Sequence, residues 1–275
     1  MDPTEEQVFD VVRKHLLMSR GVDLSSYSRS FVMRAIRKRV GRSRSLGYTD
    51  YIRLLRESEA ETSELLNALS INVTEFFRDK GAFEAFSEKA VRPLIHTKES
   101  LSGGIIRIWS AGCATGQETY TLAICAVEEL KKMGDFPKPM VTTLGTDLSI
   151  PAINAARTGV FTAEQVKGVP QSLLPSYFVK RGDGYEVADF IKRTVRFFNG
   201  NLLEEPHSKF FDAVVCRNVM IYFSRQMHDT VMMHLHGALR VGGYMMLGKT
   251  ETLLGSPRNY FETVDLENRI FRKTK

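Results

Sequence analysis

Three cysteines, Cys113, Cys125 and Cys216, are too few and too scattered for a disulfide framework. Their number is odd, and no pair has the C-x-x-C spacing of a zinc or redox site. A reducing compartment is therefore expected. Histidine is also sparse: the six residues at 15, 96, 207, 228, 234 and 236 show no paired ligand spacing, and His234 and His236 diverge on a helix. No metal site is expected. No apolar run approaches the ~18 residues that span a bilayer. The N-terminus, M-D-P-T-E-E-Q, is acidic where a signal peptide would be basic and then apolar. These absences predict a cytoplasmic protein with no direct membrane insertion, free to serve a membrane-bound partner; a monomer is the expected state, with no sequence feature that decides it. Internal repeats and low-complexity tracts are missing too.

What is present is globular. Of 275 residues, 43% are hydrophobic and 25% charged, enough for a packed core and for two domains. The chain changes character near residue 100. Before it, Val8, Val11, Val12 and Leu16 recur at helical spacing, and Phe31–Val40, Tyr51–Arg56 and Leu65–Leu69 repeat that texture. Gly21, Gly41 and Gly47 punctuate these segments. A longer helix is expected around Glu75–Ala90, then a linker, H-T-K-E-S-L-S-G-G. After it, strands and helices alternate: strands at 105–112, 140–147, 194–201, 211–218 and 242–248, with helices over Gln117–Met133, Ile150–Arg157 and Arg225–Leu239. Such alternation predicts a parallel sheet covered by helices. The expectation is an α/β, Rossmann-like domain over 104–275, with a small β-sheet insertion around 165–195. An all-α domain over 1–95 precedes it. Paired strands are expected near Tyr260–Val264 and Arg269–Arg272.

Ligands of open parallel sheets bind beyond the carboxyl ends of the strands. Four polar clusters fall there: S-A-G-C-A-T-G-Q-E (110–118), Asp147, Asn201-Leu202, and Asn218 in C-R-N-V-M-I-Y-F. Gly112 and Gly116 allow a tight turn and close backbone approach. Asp147 can accept hydrogen bonds from ribose hydroxyls. The loop is not the dinucleotide G-x-G-x-x-G, and Glu118 at the helix start would repel a pyrophosphate. The same carboxylate could hold a cationic centre, which favours S-adenosylmethionine over NAD. A plain strand-to-helix turn remains the alternative for the loop taken alone.

N-V-T-E-F-F-R-D (72–79), W-S-A-G-C-A-T-G-Q-E-T-Y-T-L-A-I (109–124), F-D-A-V-V-C-R-N-V-M-I-Y-F (211–223) and G-G-Y-M-M-L-G-K-T-E-T-L (242–253) resemble the CheR family of chemoreceptor glutamate O-methyltransferases. The resemblance spans essentially the whole chain. It implies S-adenosylmethionine as cofactor, S-adenosylhomocysteine as product, and cofactor contacts at Asn72, Thr74, Arg78, Glu118, Asp147, Asn201, Leu202, Asn218 and Val219. It also implies that Arg78 and Tyr222 lie near the reacting groups. Two positions depart from the common pattern: Gln117, where many relatives have an acid, and Lys249, where His is usual. From the residues alone, Asn72 can also be read as a helix N-cap, alongside ligand contact, because N-V-T-E resembles a capping box. Arg78 could be a solvated arginine and Tyr222 a packing aromatic.

A glutamate carboxylate, with a reference pKa of about 4.3, is already ionised at neutral pH. Its methylation needs positioning rather than a general base, and no catalytic triad is found.

The modest excess of base, a formal +6, is concentrated. Arg29 to Arg44 contains seven basic residues and no acid. Arg34, Arg37 and Lys38 share one helical arc, with Val32 and Ile36 opposite and Arg42 one turn on. A solvated charged face is the simplest reading. A docking face for an acidic protein competes with one for nucleic acid, and no aromatic stacking motif interleaves the run to favour the latter. The resemblance points to the cytoplasmic methylation helices of chemoreceptors as the partner, with the enzyme recruited to membrane-bound receptor arrays. Alternatives are a methyltransferase for RNA or a small molecule, and a cofactor-binding regulator without turnover. The hairpin around R-G-D-G-Y looks short for capture of a receptor's C-terminal peptide by strand addition.

Overall fold

The structure is a computed structural model. It describes residues 2–20, 22–69, 74–99, 104–133, 139–206, 208–253 and 256–275. Packing divides the chain into two units: residues 1–71 with 222–228, and residues 72–221 with 229–275.

The first unit is helical: α1 (Glu5–Arg20), α2 (Arg29–Arg42), α3 (Tyr48–Glu57) and α4 (Glu59–Leu69). Helical spacing turns Val8, Val12 and Leu16 of α1 inward, where they meet Val32 and Ile36 of α2, all fully buried. The start of α3 is capped from a distance, since both oxygens of Asp2 accept backbone N–H groups, from Tyr48 at 3.1 Å and Thr49 at 3.0 Å. Those donors hold the Asp2 carboxyl below its usual range. Segment 222–228 joins this unit: Tyr27 bridges Phe223, Ser28 N donates to Tyr222 O at 2.9 Å, and the Tyr222 ring lies 4.8 Å from that of Phe31.

The second unit opens with α5 (Lys80–Phe86), a π-helical turn (Ser87–Val91) and α6 (Arg92–Glu99). Then come β1 (Ile105–Ala111), α7 (Gln117–Lys132), β2 (Met140–Asp147), α8 (Ile150–Thr158), β3 (Val160–Thr162), α9 (Leu174–Tyr177), β4 (Phe178–Arg181), β5 (Gly184–Val187) and α10 (Asp189–Lys192). It closes with β6 (Val195–Asn199), β7 (Phe211–Cys216), α11 (Arg225–Ala238), whose first residues pack with the first unit, β8 (Leu239–Leu247), β9 (Phe261–Asp265) and β10 (Ile270–Lys273). The main sheet runs β6-β2-β1-β7-β8-β10-β9, parallel up to β8 and antiparallel thereafter. β1 is central, with chain order reversing on either side of it, so its carboxyl end faces the crevice where such sheets bind ligands. A separate antiparallel sheet, β3-β5-β4, forms the insertion, its β4–β5 turn only two residues long with Gly182 at φ 55°.

Two expectations differ: the first residues of the anticipated linker, 96–99, close α6, and the helix before it starts late. The helix anticipated from Glu75 begins only at Lys80, because Phe77 (φ 53°) and Asp79 (φ 58°) adopt left-handed backbone. The N-V-T-E box therefore has no helix at Glu75 to cap. Phe76, Phe83 and Phe86 lie in one buried cluster with Ile106, Ile108 and Leu122, so residues 74–99 share the core of the sheet unit.

Candidate cofactor and active site

The β1–α7 loop turns on residues that need unusual backbone. Gly112 (φ 82°), Ala114 (φ 48°) and Gly116 (φ 95°) are all left-handed. A methyl group at Gly112 would come within 2.5 Å of a Val219 side-chain carbon, so glycine there lets the loops after β1 and β7 close on each other. The loop is tied to β2: Gly112 N and Cys113 N both donate to Thr146 O, and Ala114 N donates to Asp147 Oδ2 at 2.8 Å. Asp147 Oδ1 accepts Ser149 N at 2.9 Å. Burial raises the Asp147 carboxyl, opposed by these backbone donors.

Glu118, in the first turn of α7, is partly accessible, yet its carboxyl is closely surrounded by protein. Ser110 Oγ donates to Oε1 at 2.8 Å. Desolvation pushes this carboxyl up to about 7, against the pull of the nearby Arg217 charge. A carboxylate left short of compensating charge is a ready place for a ligand cation.

Asn201 and Leu202 follow β6. Asn201 Oδ1 accepts Leu203 N at 3.0 Å, and Leu202 O meets His234 Nδ1 at 3.1 Å. Both residues line a groove of about 380 Å³ with Trp109, Thr146 and Gly200, a size within the range of small-molecule sites. Asn218 (φ 58°) and Val219 follow β7, their N–H groups bonded to Glu251.

Arg78 sits between the two left-handed residues of its segment. The segment is held by Arg217, a buried side chain that donates to Arg78 O at 3.0 Å and to Asp79 Oδ2 at 2.7 Å, above the Phe83 ring. Lys249 Nζ reaches Asp79 Oδ1 at 3.4 Å, which gives the departure from histidine a physical role as a second cation on that carboxylate.

The described site thus gathers Gly112, Glu118, Asp147, Asn201, Leu202, Asn218, Val219, Arg78 and the partly buried Thr74 in one unit, the sheet unit. Asn72 lies outside the described residues. Tyr222 packs in the helical unit with Phe31. Arg217, Asp79, Ser110 and Glu251 were missed as site residues. All four stand inside the family-like motifs, but nothing in their spacing revealed their partners. Among the described residues no cluster of metal-ligating side chains occurs.

Residues 7–70 match the CheR methyltransferase all-alpha domain, and residues 72–270 match the CheR methyltransferase SAM binding domain. The chain belongs to the CheR methyltransferase family. It is 33% identical over 214 residues to a chemotaxis protein methyltransferase of Borreliella burgdorferi, covering 76% of this chain and 75% of that one. It is 32% identical over 258 residues to chemotaxis protein methyltransferase 1 of Pseudomonas aeruginosa, covering 92% of each. It is also 32% identical over 257 residues to an uncharacterized 104.1 kDa protein of Rhodobacter capsulatus, covering 94% of this chain but 26% of that one.

As a CheR-family methyltransferase the chain uses S-adenosylmethionine. The residues present fit that cofactor. Glu118 offers a desolvated acid to a cation, Asp147 a carboxylate at a strand end, and Gly112 a turn without a side chain at φ 82°. In the helical domain of this CheR protein, Arg34, Arg37, Lys38 and Arg42 are exposed on α2. Arg37 is shared with Glu5 at 3.0 Å, and Arg29 with Glu6 at 3.4 Å. Arg39, from the same basic run, is instead buried. Its guanidinium donates to Glu61 at 2.9 and 2.7 Å and to Glu64 at 3.0 Å, and Tyr51 Oη donates to Glu61.

Proposed function

We propose that this methyltransferase esterifies glutamate side chains of chemoreceptor methylation helices, on the cytoplasmic side of receptor arrays. The observation that supports this reading is the pairing of a cofactor rim with an arginine segment clamped in place, Arg78 between Phe77 and Asp79, fixed by Arg217. When bound, S-adenosylmethionine supplies an electrophilic methyl group on a sulfonium. Glu118 would hold the cofactor's cationic portion and Asp147 its ribose, with Asn201, Leu202, Asn218, Val219, Asn72 and Thr74 as further contacts. Arg78 orients the acceptor carboxylate, which arrives ionised and keeps its charge until attack. Tyr222 shares that orienting role. Oriented proximity of this kind is worth roughly 7–11 kcal/mol. The segment's domain roles follow: the helical part docks the receptor and the sheet part transfers the methyl group.

Docking rests on Arg34, Arg37, Lys38 and Arg42, a cationic face suited to an acidic helix. Each exposed pair contributes about 0–1 kcal/mol, so the face steers and orients rather than binding tightly. The test is methyl transfer to a receptor cytoplasmic fragment and to the same fragment with its acceptor glutamates changed to alanine. Incorporation into the first and none into the second is expected. Equal labelling of both would refute glutamate as acceptor.

A further inference from the structure

Glu251 is an acid with 4% of its surface exposed, and among the described residues no basic side chain is recorded against it. Its charge is instead met by four backbone N–H groups. Oε1 accepts Val219 N and Met220 N, both at 2.9 Å, and Oε2 accepts Asn218 N at 2.9 Å and Gly248 N at 2.7 Å. Three of the four donors are consecutive residues of the loop after β7. Consecutive N–H groups point to one spot only when the backbone departs from a strand, and Asn218 does so at φ 58°. The carboxylate reaches them because β7 and β8 end side by side, Cys216 opposite Leu247, and G-K-T-E folds back so that Glu251 N donates to Gly248 O. Gly248 is required for that approach: a Cβ there would lie 2.7 Å from Glu251 Oε2 and 2.9 Å from Asn218 N. The loop so fixed presses Val219 onto Gly112 of the β1–α7 turn.

We propose that Glu251 is the positioning residue of the cofactor site, holding Asn218–Met220 in the conformation that places Asn218 and Val219 against the cofactor and against Gly112. This rests on the reading of Asn218 and Val219 as cofactor contacts. Charge-assisted hydrogen bonds are about twice as strong as neutral ones, and each oxygen here serves two donors. An amide in place of the carboxylate turns its NH2 group towards two N–H groups, so Glu251→Gln is not conservative at this position.

The test compares wild type, Asn218→Ala, Glu251→Gln and Gly248→Ala by calorimetric binding of S-adenosylhomocysteine, cofactor and acceptor KM, and amide exchange of residues 217–221. Glu251→Gln is expected to weaken binding at least tenfold and raise the cofactor KM alike, with the acceptor KM unchanged. The amides of Asn218, Val219 and Met220 should exchange faster while those of β1 keep their protection. Gly248→Ala should do the same by displacing the carboxylate, and decides the matter if the glutamine variant does not fold. Weakened binding in Asn218→Ala with native binding in Glu251→Gln, or in Gly248→Ala should only that variant fold, would overturn the proposal. Native binding in Asn218→Ala would instead remove the reading of the loop as a cofactor contact.

Discussion

Desolvation holds part of the Glu118 population protonated at neutral pH, since its carboxyl titrates at about 7. A cationic cofactor centre selects the ionised form, so binding must displace a proton below that value. The dissociation constant for S-adenosylmethionine is expected to rise about tenfold per pH unit below 7 and to level off above it. Calorimetry across pH 5.5–8.5 (about one unit beyond the transition on either side) reads this, and Glu118→Gln should flatten the profile. A pH-independent wild type would contradict the role. The stability sign is opposite: the folded acid keeps a proton that the unfolded chain releases, so stability of the unliganded protein falls as pH rises from about 4.5 to about 7. Arg39 tests a different residue-scale claim. Removing it leaves Glu61 buried without its partner, and Arg39→Met should cost roughly 3–5 kcal/mol in denaturant unfolding. A loss under about 1 kcal/mol would show that Glu61 finds other solvation. The sequence displayed Arg39 only as one of seven basic residues. The acids that bury it lie a full helix away on α4, and long-range pairing has no local signature.

At the scale of elements, the strands were legible because apolar runs and turn residues mark them, and β1, β2, β7 and β8 fall where periodicity places them. The break before α5 was not. F-F-R-D has the spacing of a helix, yet Phe77 and Asp79 are left-handed, and Arg217 from the end of β7 bonds to Arg78 O and Asp79 within that turn. Arg217→Met should therefore release the Arg78 segment. A fall in turnover of tenfold or more, measured well below the variant's own melting temperature, is expected, and unchanged turnover would show that the clamp is dispensable. On α2 the exposed arc predicts a separable effect. Charge reversal at Arg34 and Lys38 together should raise the acceptor KM several-fold and leave cofactor affinity unchanged, and added salt should raise the wild-type acceptor KM in the same way. Salt-independent docking would count against an electrostatic face.

For the whole molecule, sequence alone displayed the two-part organisation and the cofactor class, because a basic helical region and a β-α alternation with polar strand ends leave compositional traces. It could not display which contacts lock the rim, since Glu251, Arg217 and Asp79 act through backbone groups and partners distant in sequence. The same unit occupies 26% of a 104.1 kDa relative and 92% of another, so the family places it both within larger chains and nearly alone. Among the described residues no helix is long and apolar enough to cross a membrane. The most direct test of the central claim is methyl transfer from labelled S-adenosylmethionine to a receptor cytoplasmic fragment, followed by mild alkali. Release of the label as volatile methanol is the predicted result, as a carboxyl methyl ester requires; label that survives alkali on the protein would contradict the account.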